Sequence, residues 1–172
     1  SFFDERLDRF IDRLIDKYPT ELENGLITVK EGKLPIDGYK LQISNRRANI
    51  TTSSLSGCYY ALVTLEELAR VYQGLIPPLE ITDYPDFKVR GFMLDISRSK
   101  VPNIDTIKKY IDLLSKLRYN HMELYVEGFS FEYKSFKEEI SIDNNYSPLE
   151  DFMQLQEYCE NNFIDLVPNQ NG

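Results

Sequence analysis

The sequence predicts an α/β protein in two parts, a small α+β domain followed by alternating parallel strands and helices. In the first part, helices flank short strands in which apolar and polar residues alternate. In the second part, helical patterns separate three apolar strand segments, and this order indicates parallel pairing with right-handed crossovers. Three prolines within residues 75–87 mark the change. We therefore predict domains at residues 1–86 and 87–172.

The first domain is predicted to contain two amphipathic helices and a hairpin. The first apolar stripe at helical spacing consists of Leu7, Phe10, Ile11, Leu14 and Ile15. The second consists of Ala61, Leu65, Leu68 and Tyr72, and Gly74 closes that helix. Segments 38–44 and 48–54 alternate in polarity around a tight turn, which predicts a mostly antiparallel sheet with one buried face. The proline-containing residues 75–87 are predicted to be a linker.

The second domain is predicted to place its strands at residues 89–97, 121–126 and 163–168. Helices are predicted between them, the second beginning at Ser147 as the N-cap, with Pro148 as its first residue. We expect the first strand to be buried on both faces, because its apolar run is nearly continuous.

Polar residues follow each of these strands at its C-terminal end, where parallel α/β folds bind their ligands. They are Asp95, Ser97 and Arg98 after the first strand, Glu127 after the second, and Asn169, Gln170 and Asn171 after the third. The planar guanidinium of Arg98 has five N–H donors, which suit a carboxylate or vicinal hydroxyls of a ligand. A structural salt bridge from Arg98 to Asp95 or Glu127 is the alternative, and the pattern alone leaves both open.

Composition argues against several classes of partner and site. A net charge of -8 and a pI of about 4.8 are unlike a protein that binds nucleic acid. The sequence has no apolar run of the roughly 18 residues that span a membrane, no zinc-ligand spacing and no glycine-rich phosphate loop. We therefore expect no nucleic acid, membrane, metal or cofactor. Cys58 and Cys159 are predicted to be buried free thiols. The chain starts at Ser1, so we expect a trimmed N-terminus. A cytoplasmic location is favoured over secretion, and the trimmed N-terminus leaves both open.

Several segments resemble one enzyme family, in the same order along the chain. Family 20 glycoside hydrolases, the β-N-acetylhexosaminidases, are similar to GYKLQI at 38–43, SGCYYALVTLEEL at 56–68 and IPPLEITDYPDFKVRGFMLDISR at 76–98. One branch of that family resembles YVEGFSFEY at 125–133 and IDLVPNQNG at 164–172. The most specific part is the stretch from Thr82 to Arg98.

The resemblance implies both an architecture and a reaction. Members carry a non-catalytic, zincin-like α/β domain before a (β/α)8 TIM barrel, so residues 87–172 would supply the first three barrel strands. The reaction is removal of terminal N-acetylglucosamine or N-acetylgalactosamine from a glycan with retention of configuration, assisted by the acetamido oxygen of the sugar. The resemblance assigns Arg98 to hydroxyls 3 and 4 of that sugar and places Glu127, Asn169 and Gln170 near the pocket.

The catalytic Asp-Glu pair of the family follows the fourth barrel strand, beyond the three strands predicted here. We therefore expect no catalytic residue in this chain, no hydrolysis by it alone, and self-association of an incomplete barrel. A non-catalytic carbohydrate-binding or interaction module is the alternative. A small doubly wound domain with another ligand is a further alternative, which no glycine loop supports.

Overall fold

The computed structural model describes residues 4–18, 27–98, 102–127 and 149–171. The chain divides into two compact units, residues 1–88 and 89–172. Within these described ranges, each unit has a β-sheet of its own, with four strands in the first and three in the second. The mixed α/β class predicted from the sequence is confirmed.

The described part of the first unit contains two helices and four strands. They are α1 (Glu5–Lys17), β1 (Ile27–Glu31), β2 (Tyr39–Ser44), β3 (Arg47–Thr52), α2 (Leu55–Val71) and β4 (Leu79–Asp83). The sheet order is β1-β3-β2-β4, in which β1 runs parallel to β3 and the other two pairings are antiparallel. The predicted hairpin is confirmed, and its turn places Asn45 and Arg46 at positive φ, 48° and 61°. Such a turn matches the twist of the strands that it joins.

Helix α2 forms the centre of the first unit. Ten of its residues are buried, among them an unbroken run from Gly57 to Leu65. Helix α1 contributes only a stripe, Leu7, Phe10 and Leu14, and the Phe10 ring meets Tyr59 edge to face at 5.4 Å between centroids. A helix buried around most of its circumference needs layers on several sides, and α1 and the inner face of the sheet provide two of them.

Two strands of this sheet were not predicted. The proline-containing stretch 75–87 is not simply a linker, because its residues Leu79–Asp83 form β4 and pair with β2, where Leu41 lies opposite Ile81. Strand β1 was also missed. Both strands lie at sheet edges and both show the burial pattern of a largely exposed strand. Prolines just before β4 are compatible with an edge position, where a strand needs partners on one side only.

The second unit alternates strand and helix, as predicted. Its elements are β5 (Gly91–Asp95), α3 (Ile104–Lys116), β6 (His121–Glu127), α4 (Leu149–Asn161) and β7 (Asp165–Asn171). The sheet order is β5-β6-β7, and both pairings are parallel. One core cluster joins Ile111 of α3, Leu124 of β6 and Leu155 of α4. The predicted start of the last helix at Ser147 and Pro148 lies outside the described residues.

Two predictions for these strands were wrong in detail. Strand β5 is not buried on both faces, because Met93 is 55% exposed while Phe92 and Leu94 pack against the core. Strand β7 continues to Asn171, so Asn169, Gln170 and Asn171 lie within the strand and not after it. The cause is the pairing with β6, which extends to Glu127 opposite Asn171 and supplies main-chain partners for polar residues.

Both cysteines are free and buried, Cys58 in α2 and Cys159 in α4, which confirms the prediction. Burial raises the pKa of each thiol to about 12. Within the described ranges, none of the helices is long and apolar enough to cross a membrane.

We predict that iodoacetamide at pH 8 modifies neither Cys58 nor Cys159 in the folded chain and both after unfolding. The thiolate is the reactive species, and burial disfavours it at both positions. Mass spectrometry of unreduced protein, alkylated with and without denaturant, gives the number of modified cysteines. A disulfide-linked peptide pair would contradict the prediction.

We predict that Gly57→Ala destabilises the first unit by about 1–3 kcal/mol, as overpacking does. An added Cβ would collide with the Thr52 hydroxyl and lie 2.6 Å from the Gly38 carbonyl oxygen, which is main chain and cannot rotate away. The helical preference of alanine over glycine, about 0.5–1 kcal/mol, is smaller than this cost.

Urea unfolding followed by circular dichroism tests the change, with Glu67→Ala at an exposed position of the same helix as the control. Equal urea midpoints for Gly57→Ala and the wild-type chain would contradict the prediction, because they would show that the structure shifts enough to accommodate the added Cβ at no cost in stability.

Candidate functional site

The alternation of side chains along β6 produces a polar face opposite the core. Met122, Leu124 and Val126 are buried against the helices of the second unit. The intervening positions are His121, Glu123, Tyr125 and Glu127, which share the other face because the strand has a period of two. Parallel pairing aligns Asp95 of β5 and Asn169 of β7 with Tyr125, so the three strands carry one continuous polar surface.

Arg98 lies at the C-terminal rim of this surface and is held by two carboxylates. Its Nη1 donates to Asp95 Oδ2 at 2.9 Å, and its Nε and Nη2 approach Glu127 Oε2 at 3.1 and 2.9 Å. The Arg98 Cζ also lies 5.4 Å from the centre of the Tyr125 ring, within the range of a cation–π contact. The structure thus brings two of the predicted residues together, and the salt bridge considered from the sequence is present to both carboxylates.

The charges at this rim support one another. The charge of Glu127, followed by that of Asp95, raises the pKa of the Arg98 guanidinium. The pKa of Asp95 is lowered, first by a hydrogen bond from the Ser97 main-chain N–H and further by the Ser97 hydroxyl and Arg98. The Ser97 N and Oγ atoms each lie 2.9 Å from Asp95 Oδ1, so the carboxylate is fixed from both of its oxygens.

The Arg98 guanidinium keeps hydrogen-bonding capacity in spite of these partners. Its side chain is 62% exposed. Of its five N–H groups, Nε and one hydrogen on each Nη suffice for the contacts to Asp95 and Glu127. Among the described residues, no further partner accounts for the remaining hydrogen on each Nη. A fixed, exposed guanidinium with two adjacent donors can bind a pair of neighbouring oxygen atoms.

Asn169 lies farther from the rim, within a second polar group on the same face. Its Nδ2 donates to Glu123 Oε2 at 2.8 Å and approaches Met93 Sδ at 3.5 Å. The other carboxylate oxygen of Glu123 lies 2.9 Å from His121 Nε2. The pKa of Glu123 is lowered, first by His121 and then by Asn169.

The three polar residues at the end of β7 do not share one face. Asn171 Nδ2 donates to the Tyr125 hydroxyl at 3.0 Å, which places it beside the Arg98 cluster. Gln170 alternates to the opposite face, and its side-chain amide donates to the Asn171 carbonyl at 3.1 Å. The structure therefore groups Arg98 and Glu127 at the rim, places Asn169 below them and separates Gln170 by strand alternation.

Tyr125, Glu123 and His121 were not among the residues predicted for the site. The signal was present in HMELYVE, where every second residue is polar or aromatic. The segment was predicted as a strand from its apolar residues, and the alternation that gives it a polar face was not used. No group of three or more potential ligands among His, Cys, Asp and Glu could hold a metal ion in the part of the chain that the structure describes.

Comparison with known proteins supports the resemblance seen in the sequence. Residues 10–84 match the family model of glycosyl hydrolase family 20, domain 2. The chain belongs with the family 20 glycosyl hydrolases. A β-hexosaminidase of Akkermansia muciniphila is 28% identical over 155 residues, 78% of this chain and 31% of that protein. β-Hexosaminidase A of Caenorhabditis briggsae is 33% identical over 152 residues, 76% of this chain and 27% of that protein.

A solved family 20 structure extends the similarity across both units. The β-N-acetylhexosaminidase of Bacteroides fragilis superimposes with a TM-score of 0.75 at 27% identity, over 92% of this chain and 37% of that one. This chain thus spans about a third of the length of the relatives it matches. The family relationship predicted from the sequence is confirmed.

We predict that Asp95 titrates below the usual range of an aspartate, and that Arg98→Ala returns its pKa only part of the way. The Ser97 main-chain N–H is the largest cause of the lowered pKa and survives that substitution. Because the folded pKa is lowered, Asp95 stabilises the fold above its unfolded pKa of about 3.9, and this contribution is lost as pH falls through the folded value. Carboxyl 13C NMR titration measures both values, and an ordinary pKa for Asp95 in the wild-type chain would contradict the contacts.

Proposed function

We propose that this chain is part of a retaining β-N-acetylhexosaminidase that removes terminal N-acetylglucosamine or N-acetylgalactosamine by substrate-assisted catalysis. The observation that carries the proposal is Arg98, fixed at the C-terminal rim of a parallel sheet by Asp95 and Glu127 with N–H donors to spare. The rim of parallel strands is where α/β barrels bind their substrates. The family relationship supplies the class of substrate.

The salt bridges favour a binding role for Arg98 and do not compete with it. The entropy of ordering a long side chain is already lost before a ligand arrives, because two carboxylates and the Tyr125 ring hold the guanidinium. Two adjacent N–H donors suit the vicinal hydroxyls 3 and 4 of the terminal sugar. Glu127 lies within reach of the same sugar edge, since it contacts the same guanidinium.

Asn169 and Gln170 are proposed as further contacts in the pocket, with different support. Asn169 shares the polar face with Arg98, so a sugar at the rim could reach it. Gln170 lies on the opposite face of β7, and its proposed contact would have to come from the end of the strand.

We further propose that residues 1–86 form the non-catalytic, zincin-like domain and that residues 87–172 begin a (β/α)8 barrel. Open surfaces on the second unit support this arrangement. Strands β5 and β7 each pair on one side only among the described residues. Two large apolar side chains are exposed at α3, Leu113 within the helix at 53% and its C-cap residue Leu117 at 57%. Further strands and helices of a barrel would cover both kinds of surface.

In this mechanism the acetamido oxygen of the bound sugar attacks the anomeric carbon while a general acid protonates the leaving oxygen. The proposed part of this chain is to bind and orient the sugar through Arg98 and its neighbours. The acid and the aspartate that holds the acetamido group are proposed to come from the strand after β7, as the resemblance implies. No residue of this chain is assigned a catalytic role.

A non-catalytic carbohydrate-binding module is the second candidate, because the same rim contacts would hold a sugar without chemistry. Sequencing the gene past the codon for Gly172 separates the two. An Asp-Glu pair at the end of a following strand supports the hydrolase, and a stop codon or an unrelated segment supports the binding module.

We predict that Arg98→Ala lowers kcat/KM on an aryl N-acetylglucosaminide by about ten- to a hundredfold in the protein made from the complete reading frame. The change removes charge-assisted hydrogen bonds to the sugar, each of which is typically strong. Arg98→Lys is the matched control, because lysine keeps the charge and loses the planar fork, so an intermediate loss is expected. An unchanged kcat/KM in Arg98→Ala would contradict the proposed contact with the sugar and would leave only a structural role for Arg98, in its salt bridges.

We predict that the 172-residue chain by itself does not hydrolyse glycosides and self-associates. A glycosidic bond requires a positioned acid, and open strand edges with exposed apolar faces pair with other copies. Light scattering should give a mass above 20.2 kDa, and the hydrolysis assay should not exceed the buffer rate. An active, monomeric chain would contradict the incomplete barrel.

A further inference from the structure

The side-chain amide of Asn169 is fixed in one orientation by neighbouring strands. One of its two N–H groups has the Glu123 carboxylate of β6 as acceptor at 2.8 Å, and the Met93 sulfur of β5 lies 3.5 Å from the same nitrogen. An amide nitrogen has two hydrogens, so these partners can occupy both. Among the described residues, no donor approaches the Asn169 Oδ1 atom. The oxygen is therefore the part of this side chain left for a ligand.

The orientation depends on Glu123, which is itself held from the other side. His121 Nε2 lies 2.9 Å from Glu123 Oε1, while Asn169 contacts Oε2. Gly91 of β5 lies beside His121 in the sheet, and a Cβ at that position would come within 3.0 Å of the imidazole Cδ2. Glu123 thus contacts His121 through Oε1 and Asn169 through Oε2. Loss of either neighbour would leave one of the two carboxylate oxygens without that contact.

We infer that Glu123 is a positioning residue, which presents the Asn169 oxygen to a hydrogen-bond donor of the bound sugar. The inference rests on the proposed function and goes beyond it, because it names the atom that meets the substrate and the residue that directs it. Without an acceptor at position 123, the amide can rotate by half a turn and offer its N–H groups instead. Since Glu123 lies one face position below Asn169 in the register, it acts through that side chain.

This orientation has a consequence for specificity. An outward carbonyl oxygen accepts from a hydroxyl or an acetamido N–H, which a terminal N-acetylhexosamine provides. It disfavours a ligand that offers only acceptors there, such as a carboxylate, because two acceptors facing each other lose a hydrogen bond and gain repulsion. The site is therefore expected to select neutral amino sugars over acidic ones.

The test uses four variants of the protein made from the complete reading frame. Glu123→Leu removes the acceptor, and Glu123→Gln keeps one oxygen for Asn169. Asn169→Asp places two carboxylates together, and the double variant with Glu123→Gln restores a donor and an acceptor with their roles exchanged. Glu157→Leu, at an exposed position of α4, controls for the loss of a glutamate. Thermal melting verifies that each variant is folded.

Steady-state kinetics on an aryl N-acetylglucosaminide give the main result. We expect KM to rise roughly tenfold in Glu123→Leu, because the oriented hydrogen bond to the sugar is lost. We expect a similar rise in Asn169→Asp, because repulsion between the two carboxylates displaces the side chain at position 169. The change in kcat should be smaller in both variants. Glu123→Gln and the double variant should stay within about threefold of the wild-type KM, since each keeps an outward acceptor. If the leucine variant has the wild-type KM while the wild-type enzyme is active, the inference is overturned and the proposed function stands.

A second measurement separates this inference from a failure of the proposed function. If the wild-type protein neither hydrolyses the substrate nor binds N-acetylglucosamine, the function fails, and the orientation is decided by proton exchange of the Asn169 side-chain amide. Asparagine labelled with 15N allows its NMR detection, and Asn169→Asp assigns the signal. Faster exchange in Glu123→Leu than in the wild-type protein upholds the fixed orientation, and equal rates overturn it.

Discussion

The second unit depends on the pairing of β6 between two parallel neighbours. Because β6 is central, its alternation assigns every side chain either to the core with α3 and α4 or to the open polar face. A slip of one residue would put Glu123 into the core and Leu124 into solvent, so burial fixes the register strongly. The same register brings Asp95 and Asn169 level with Tyr125, and so the core and the candidate site have one origin.

The first unit follows a different constraint, the burial of α2. The close approach of Gly57 to Gly38 and Thr52 brings the start of this helix against the sheet, and the Ser54 hydroxyl caps it by accepting from the Gly57 N–H at 3.0 Å. Tyr39 uses its polar end within the same core, with its hydroxyl 2.6 Å from that of Thr64. Buried hydroxyls that satisfy each other cost little, which lets an aromatic residue fill the space between sheet and helix.

Sequence patterns located the helices and the strands with strong alternation, because periodicity reports which face is buried. They failed for β1 and β4, whose exposed edge positions carry little apolar signal, and β4 was further obscured by the nearby prolines. At the candidate site, Arg98 and Glu127 could be predicted because each stands at the C-terminal end of a strand segment rich in apolar residues, although Glu127 is the last residue of β6 and does not follow it. The hydrogen bond between Asn169 and Glu123 could not be predicted. The two residues lie 46 positions apart in sequence, and the register of β6 against β7 that brings them together is known only from the structure. The position of Gln170 on the opposite face of the sheet was also missed, because β7 was expected to end before this residue.

The contact between Gly91 and His121 couples two positions that lie 30 residues apart in sequence but side by side in the sheet. Glu123 holds the imidazole in place, so the ring cannot simply swing aside for a larger neighbour. In a combinatorial library of both positions, alanine at 91 would be recovered mainly together with a smaller residue at 121. The residue tolerated at one of these positions therefore depends on the residue at the other. Fewer pairs of residues are compatible with the two strands than would be if the positions varied independently.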